Sequence, residues 1–158
     1  MTSKQQINSN YRQVFKTALR ILTGRDHFKA ELIHKLKQRG FAADDINRAV
    51  AVCERLYYID DERSARVYVE QLVRRGYGLK RIDFEMNKKG LKGERIQNII
   101  SESVSDVDEL EGARRILKKY TRRFEREKDL IKRRNKIYRF LYNRGFSMDT
   151  IRKLLNNT

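Results

Sequence analysis

The sequence predicts an all-α protein: three tandem three-helix repeats stacked into an elongated, curved array. Three observations carry that expectation. The 158 residues include no proline, so helix can follow helix with nothing to break the hydrogen-bond ladder. Apolar residues recur at helical spacing, and no strand-like alternation of useful length appears. Finally, one pattern of apolar residues is written three times around a glycine.

The three copies are Leu32, Leu36, Gly40, Phe41, Ile46, Val50; then Ile82, Met86, Gly90, Leu91, Ile96, Ile100; then Ile137, Leu141, Gly145, Phe146, Ile151, Leu155. Their offsets from the glycine are identical: −8, −4, 0, +1, +6 and +10. Apolar residues four apart share one helix face. The glycine sits where a helix commonly ends in a left-handed residue. The pattern therefore reads helix, tight turn, helix. Asp44, Glu94 and Ser147 or Asp149 place an acceptor or a negative charge at the start of each second helix.

Another amphipathic segment precedes each pair. In the first repeat, residues 1–58, it is Tyr11, Val14, Ala18, Leu19 and Leu22. In the second, residues 59–105, it is Ala65, Tyr68, Val69 and Leu72, behind a cap at Asp60-Asp61. In the third, residues 106–158, it is Leu110, Ala113, Ile116 or Leu117, Tyr120 and Phe124. There the charged stretch from Thr121 to Lys136 is an insertion that lengthens a helix or adds a loop. A unit of this size buries little surface alone, so neighbours are expected to stack. Gly76-Tyr77-Gly78 has no preceding strand and reads as a helix stop followed by a helix start.

Charge narrows the function classes. There are 37 Lys and Arg against 21 Asp and Glu, a net charge of +16. Residues 1–61 carry 11 basic and 7 acidic side chains, residues 62–111 carry 10 and 10, and residues 112–158 carry 16 and 4. The last third thus holds +12 of the excess, too much for internal ion pairs to neutralise, and a polyanion or an acidic protein surface is the expected partner. No apolar run approaches membrane length, and residues 1–24 contain no apolar signal block, so a cytoplasmic protein with no membrane contact is expected. The Asn156-Asn157-Thr158 sequon then carries no meaning. The single cysteine, Cys53, lies on the stripe Ile46, Val50, Cys53, Leu56 and is expected in the core.

Catalytic constellations are missing from the sequence. One Cys and two His make no zinc site of the usual type, and His27 and His34 are expected to face solvent. Asp60-Asp61 lacks a third carboxylate in helical register, so no nuclease centre is read there. No cofactor is expected. The candidate contacts are basic. Arg74, Arg75, Lys80 and Arg81 flank the Gly76–Gly78 bend, where four cations are expected to converge. Lys118, Lys119, Arg122, Arg123 and Arg126 recur at three- and four-residue spacing along one helical stripe. Arg133, Arg134, Lys136 and Arg144 extend that region, with Tyr138 and Tyr142 among them. Tyr120 and Phe124 continue the apolar stripe and read as packing rather than stacking platforms.

These residues resemble a known family. Ala18-Leu19 with Leu22, Arg25-Asp26-His27, Glu31-Leu32 with Lys35-Leu36, and Tyr58-Ile59-Asp60-Asp61 with Ala65 come first. Arg75-Gly76-Tyr77-Gly78, Arg81-Ile82 and Lys89-Gly90 follow, then Ile137-Tyr138-Arg139-Phe140-Leu141 and Arg144-Gly145-Phe146. In this order and spacing, over about residues 14–155, the chain resembles the RecX family, regulators of the bacterial RecA recombinase. Phe28 stands where the family usually has Ser, which leaves Asp26 as the local cap. The resemblance implies a non-enzymatic modulator, mainly an inhibitor. Such a protein binds the RecA filament along its helical groove and suppresses ATP hydrolysis, strand exchange and co-protease activity. It implies a monomer that meets single- or double-stranded DNA weakly or within the filament, and it adds Arg25 to the contact candidates. The alternative is a general helical DNA-binding protein acting without RecA: each unit repeats a helix–turn–helix-like element, and +16 suffices for salt-sensitive binding.

Overall fold

A computed structural model describes residues 3–24 and 27–156 of the chain. Its helices are α1 (Ser3–Leu22), α2 (Lys29–Lys37), α3 (Ala43–Arg55), α4 (Asp61–Arg74), α5 (Leu79–Lys88), α6 (Glu94–Ser103), α7 (Asp106–Glu125), α8 (Leu130–Asn143) and α9 (Met148–Asn156). No strand occurs among the described residues. The fold is all-α, in three successive three-helix groups. Contacts divide the chain into two compact units: Met1–Ser64 with Lys89–Leu91, and Ala65–Lys88 with Lys92–Thr158. Arg25 and Asp26, one a contact candidate and the other the expected cap, lie outside the described residues, as do Asn157 and Thr158 of the sequon.

The repeat pattern is the core pattern. Of the six positions in each copy, every apolar one is buried except Phe41, which is half-buried. In the first unit, Val14 and Ala18 of α1 meet Leu32 and Leu36 of α2 and Ile46, Ala49, Val50 and Cys53 of α3. Gly40, Gly90 and Gly145 take φ of +79°, +80° and +79°, the left-handed geometry that ends a helix without a Cβ penalty. The end of α3 closes the same way, with Tyr57 at φ +57° and the Tyr58 N–H donating to the Cys53 carbonyl at 2.9 Å.

The start of α2 shows how the Phe28 departure is accommodated. Phe28 occupies the cap position and makes no side-chain capping bond. The Asp61 carboxylate, 32 residues away in sequence, accepts the Lys29 N–H at 2.8 Å instead. Asp60 takes the local role at α4, accepting the Arg63 N–H at 3.0 Å. Burial pushes the Asp61 carboxyl above its ordinary range, partly offset by that backbone bond. The expectation that both histidines face solvent fails at His27, which is 5% exposed; its Nε2 lies 2.7 Å from Lys35 Nζ, whereas His34 is exposed. The His27 ring meets side chains four and eight residues on, Glu31 at 4.0 Å and Lys35, a neighbourhood that spacing alone does not reveal.

In the second unit, Ala113, Ile116 and Phe124 of α7 pack with Ile137 and Leu141 of α8 and Ile151, Leu154 and Leu155 of α9, around Phe146. The inserted stretch lengthens two helices. α7 runs on to Glu125, and α8 begins at Leu130, where Asp129 caps it by accepting the N–H groups of Ile131 and Lys132 at 2.9 and 3.1 Å.

Within the same unit the α4–α5 turn lies backbone to backbone against the α8–α9 turn. The Gly78 N–H donates to the Arg144 carbonyl at 2.8 Å, and the Lys80 N–H to the Gly145 carbonyl at 3.0 Å. A Cβ on Gly78 would stand 2.5 Å from the Gly145 oxygen and overlap the Phe146 backbone. Gly78 is therefore required for close approach, not for a positive φ. The buried carboxylate of Glu109 completes the joint. It accepts the N–H of Leu79 (3.2 Å), the N–H and Oγ–H of Ser147 (3.1 and 2.6 Å) and the Oγ1–H of Thr150 (2.7 Å).

Candidate polyanion-binding face

The bend at Gly76–Gly78 disperses its cations rather than gathering them. Arg74 ends α4, Arg75 follows it in the turn, and both line a small concavity with Gly112, Arg115 and Lys119. Arg74 also pairs with Glu70 at 3.6 Å. Lys80 lines a separate groove with Asp83, Gln97 and Ser105. Arg81 turns to a third, pairs with Glu85 at 2.7 Å and stacks over Phe84 and Tyr77 at 5.3 and 5.7 Å. The expected four-cation convergence does not form, because side chains at 74–75 and 80–81 leave different helices in different directions.

The α7 stripe stays together. Lys118, Lys119, Arg122 and Arg123 are all exposed, with Arg126 at the helix end, and none has a carboxylate partner among the described residues. They line a shallow surface with Tyr120. Like charges left unpaired on one face raise a strong positive potential.

On α8 the candidates are partly spent within the protein. The Lys136 ammonium meets Glu127 Oε2 at 2.6 Å, and this hydrogen bond holds the Glu127 carboxyl below its ordinary range. Arg133 Nε donates to the Glu127 carbonyl at 2.8 Å, and Arg134 to Asn156 Oδ1 at 3.2 Å. Arg144 is a brace. Its Nη1 donates to the carbonyls of Arg75 and Gly76 at 3.1 and 3.3 Å, and its guanidinium lies over Phe140 at 4.7 Å.

Between α5, the end of α7 and α8 these residues border a groove of about 810 Å³. Tyr77, Phe124 and Phe140 form its apolar lining, and Arg81, Arg123, Arg126, Lys136, Arg139 and Arg144 its rim. Tyr120 and Phe124 pack on Phe140 with ring centroids 5.2 and 5.3 Å away, in keeping with the packing role read from the stripe. Sequence reasoning missed Arg139 as a site residue. Its signal was the spacing Lys136, Arg139, Asn143, which puts all three on one face of α8.

Other chemistries find little footing. Among the described residues no three His, Cys, Asp or Glu side chains gather as a metal site. Burial pushes the Cys53 thiol up, away from the thiolate that reacts. Among the described residues no helix is long and apolar enough to cross a membrane.

Fold and face together define the class: a tandem three-helix repeat protein whose third group carries an unneutralised basic surface. Comparison with known proteins makes this particular. The profile of the RecX first three-helix domain matches residues 15–53, the second residues 60–98, and the third residues 106–155. The protein named Regulatory protein RecX from Legionella pneumophila (strain Corby) is 33% identical over 143 residues, covering 90% of this chain and 92% of that one. Its namesake from Salmonella typhimurium (strain LT2) is 32% identical over 157 residues, covering 93% and 92%. The chain belongs to the RecX family. Crystal structures agree in fold: RecX from Lactobacillus salivarius superposes with a TM-score of 0.80 at 23% identity, over 95% of this chain and 97% of that one. A second, titled regulatory protein RecX, gives 0.83 at 18% identity over 100% and 79%.

Proposed function

We propose that this chain is a non-enzymatic modulator of RecA, mainly an inhibitor. In this reading it binds RecA–DNA filaments along their helical groove and suppresses ATP hydrolysis, strand exchange and co-protease activity. The observation that carries the reading is the ordered match of all three RecX three-helix domains along the chain. The three modules, residues 1–58, 59–105 and 106–158, act as separate points of contact. Each added contact is then intramolecular, so modest surfaces combine into firm binding. Lys118, Lys119, Arg122 and Arg123, which lack internal partners among the described residues, are the strongest contact candidates, for acidic RecA surface and for phosphates inside the groove. The protein acts as a cytoplasmic monomer without a cofactor.

The test is single-stranded-DNA-dependent ATP hydrolysis by RecA, titrated with this protein at moderate salt beside a DNA-binding control without RecA. Inhibition below one molecule per RecA protomer, where bare DNA is barely bound, is the expected result. Inhibition only at concentrations that coat the DNA favours the second reading, a general DNA binder, for which the +16 charge speaks. Reversing Lys118, Lys119, Arg122 and Arg123 to Glu is expected to weaken inhibition with helicity retained. Unchanged inhibition by that variant removes the third module from the contact.

A further inference from the structure

Between α7 and α8 of the second unit the chain runs beyond its own core. Phe124 is the last buried residue of α7 and Ile137 the first of α8, and none of the twelve residues between them is buried. The projecting tip is nevertheless braced. Asp129 caps α8, the Lys136 ammonium meets the Glu127 carboxylate at 2.6 Å, and Arg133 Nε donates to the Glu127 carbonyl at 2.8 Å. On this tip stand Leu130 and Ile131, 73% and 74% exposed. Leu130 lies seven residues before Ile137 and continues the apolar stripe of α8 past the point where the core ends. Adjacent, held in place and out of reach of the core, the pair presents apolar surface that the fold itself never covers. Cations flank it on both sides in the chain. Arg126, Lys128 and Lys132 are exposed and have no ion-pair partner among the described residues, and Arg122 stands one turn earlier on α7. Over residues 122–134 seven cations face three carboxylates, of which Glu127 is engaged by Lys136 and Asp129 by two backbone N–H groups.

We propose that this tip docks on an anionic lipid surface, with Leu130 and Ile131 entering the acyl boundary and the flanking cations meeting the headgroups. Three features favour a bilayer. Consecutive helical residues point about 100° apart, so a protein pocket enclosing both would have to wrap the helix end, whereas a fluid phase closes around each. Both side chains are aliphatic, while protein hot spots favour Trp, Tyr and Arg, and nucleic-acid bases stack on aromatic faces that Leu130 and Ile131 do not offer. An apolar pair set among cations also matches the layering of a membrane interface, hydrocarbon beneath charged headgroups. The expectation of no membrane contact rested on the lack of a long apolar run, and surface attachment needs none. Lipid docking needs no RecA, so its fate is separable from the reading above.

The test is co-sedimentation of the full chain with vesicles of equimolar phosphatidylglycerol and phosphatidylcholine, and with phosphatidylcholine alone, at physiological salt. Leu130→Ser with Ile131→Ser removes the apolar pair, leaves the charge unchanged and touches no core residue. Binding to the anionic vesicles only, weakened at least about tenfold in the serine variant, is expected. The chain contains no tryptophan, so Ile131→Trp adds a single indole. Its emission should shift to the blue on anionic vesicles and be quenched by brominated acyl chains, while Val67→Trp, at a half-exposed position of α4, should change little. Unchanged binding by the serine variant means adsorption by charge alone and overturns the proposal. Failure to bind anionic vesicles, equal binding to neutral ones, or equal quenching of the two indoles overturns it too. A serine variant that binds vesicles like the parent but no longer inhibits RecA assigns the tip to a protein contact instead. Circular dichroism at 222 nm establishes that each variant is folded.

Discussion

Replacing Glu109 by alanine is expected to destabilise the second unit by about 2–5 kcal/mol, from two buried N–H groups left without an acceptor and the cavity left behind. Glu109 is 3% exposed and accepts four hydrogen bonds from two places in the chain, Leu79 at the start of α5 and the Ser147–Thr150 segment opening α9. Truncation affects the donors unequally. The Ser147 and Thr150 hydroxyls already lie 2.9 Å apart and can turn to each other, so they lose little. The N–H groups of Leu79 and Ser147 have no other acceptor among the described residues, and each buried orphan costs about 1–3 kcal/mol. The cavity adds to this, while relief of carboxylate desolvation subtracts. Glutamine keeps an oxygen for both N–H groups, and the hydroxyls can accept from its amide, so Glu109→Gln should cost only about 1 kcal/mol. Urea denaturation followed at 222 nm reads the midpoint shift at constant slope. A Glu109→Ala loss under about 1 kcal/mol, or a glutamine variant as weak as alanine, refutes the hydrogen-bond reasoning.

Gly78→Ala forces a methyl group into the Phe146 backbone and should cost more than about 2 kcal/mol, whereas Gly112→Ala, whose new Cβ meets only Phe146 Cε1 at 4.0 Å, should stabilise α7 by about 0.5–1 kcal/mol. Tyr57 holds a left-handed backbone with its side chain 83% exposed, so Tyr57→Gly should relieve strain and raise the melting temperature by a few degrees; a fall would show that the ring packs usefully. The carboxyl groups divide by sign in a carbon-13 NMR titration. Glu127, depressed by its hydrogen bond from Lys136, contributes stability present above its unfolded pKa and lost as pH falls through its folded one. Asp61, raised by burial, binds its proton more tightly when folded, so its ionisation weakens the fold as pH rises from about 4 through its folded value. Asp61→Asn should therefore gain on the parent over that window.

The core was readable because one rule governs it. Offsets repeated around Gly40, Gly90 and Gly145 mark residues that must share a face, and burial follows from the face. What escaped the sequence depends on partners far along the chain. His27 is buried beside Lys35, Asp61 caps a helix 32 residues away, and Glu109 joins two helix starts. Glu109 did leave a trace, as a charge four residues before Ala113 on an otherwise apolar stripe. The site was legible as net charge and as the α7 stripe, but not as geometry. Arg144 looked like one more surface cation, yet its fork is used on the carbonyls of Arg75 and Gly76, a contact between turns that neither local sequence announces.

The groove arises where the third repeat departs from the pattern. A copy that kept the second repeat's spacing, Ala65 to Ile82, would be seven residues shorter between Ala113 and Ile137. That extra length carries α7 through Arg123 and Phe124 toward Arg126 and starts α8 at Leu130. The conserved part of the pattern makes the extension usable. Gly78 and Gly145 bring two turns into backbone contact, and Arg144 and Glu109 lock them, so Tyr77 and Arg81 are held as the wall opposite the extended helix ends. Of the rim arginines, Arg81 pairs with Glu85 and Arg144 is held by two carbonyls, while Arg123, Arg126 and Arg139 have no ion-pair partner among the described residues. The repeat supplies the rigidity and the third copy's extra length supplies the unpaired charge, so the face depends on the glycine joint as well as on its cations.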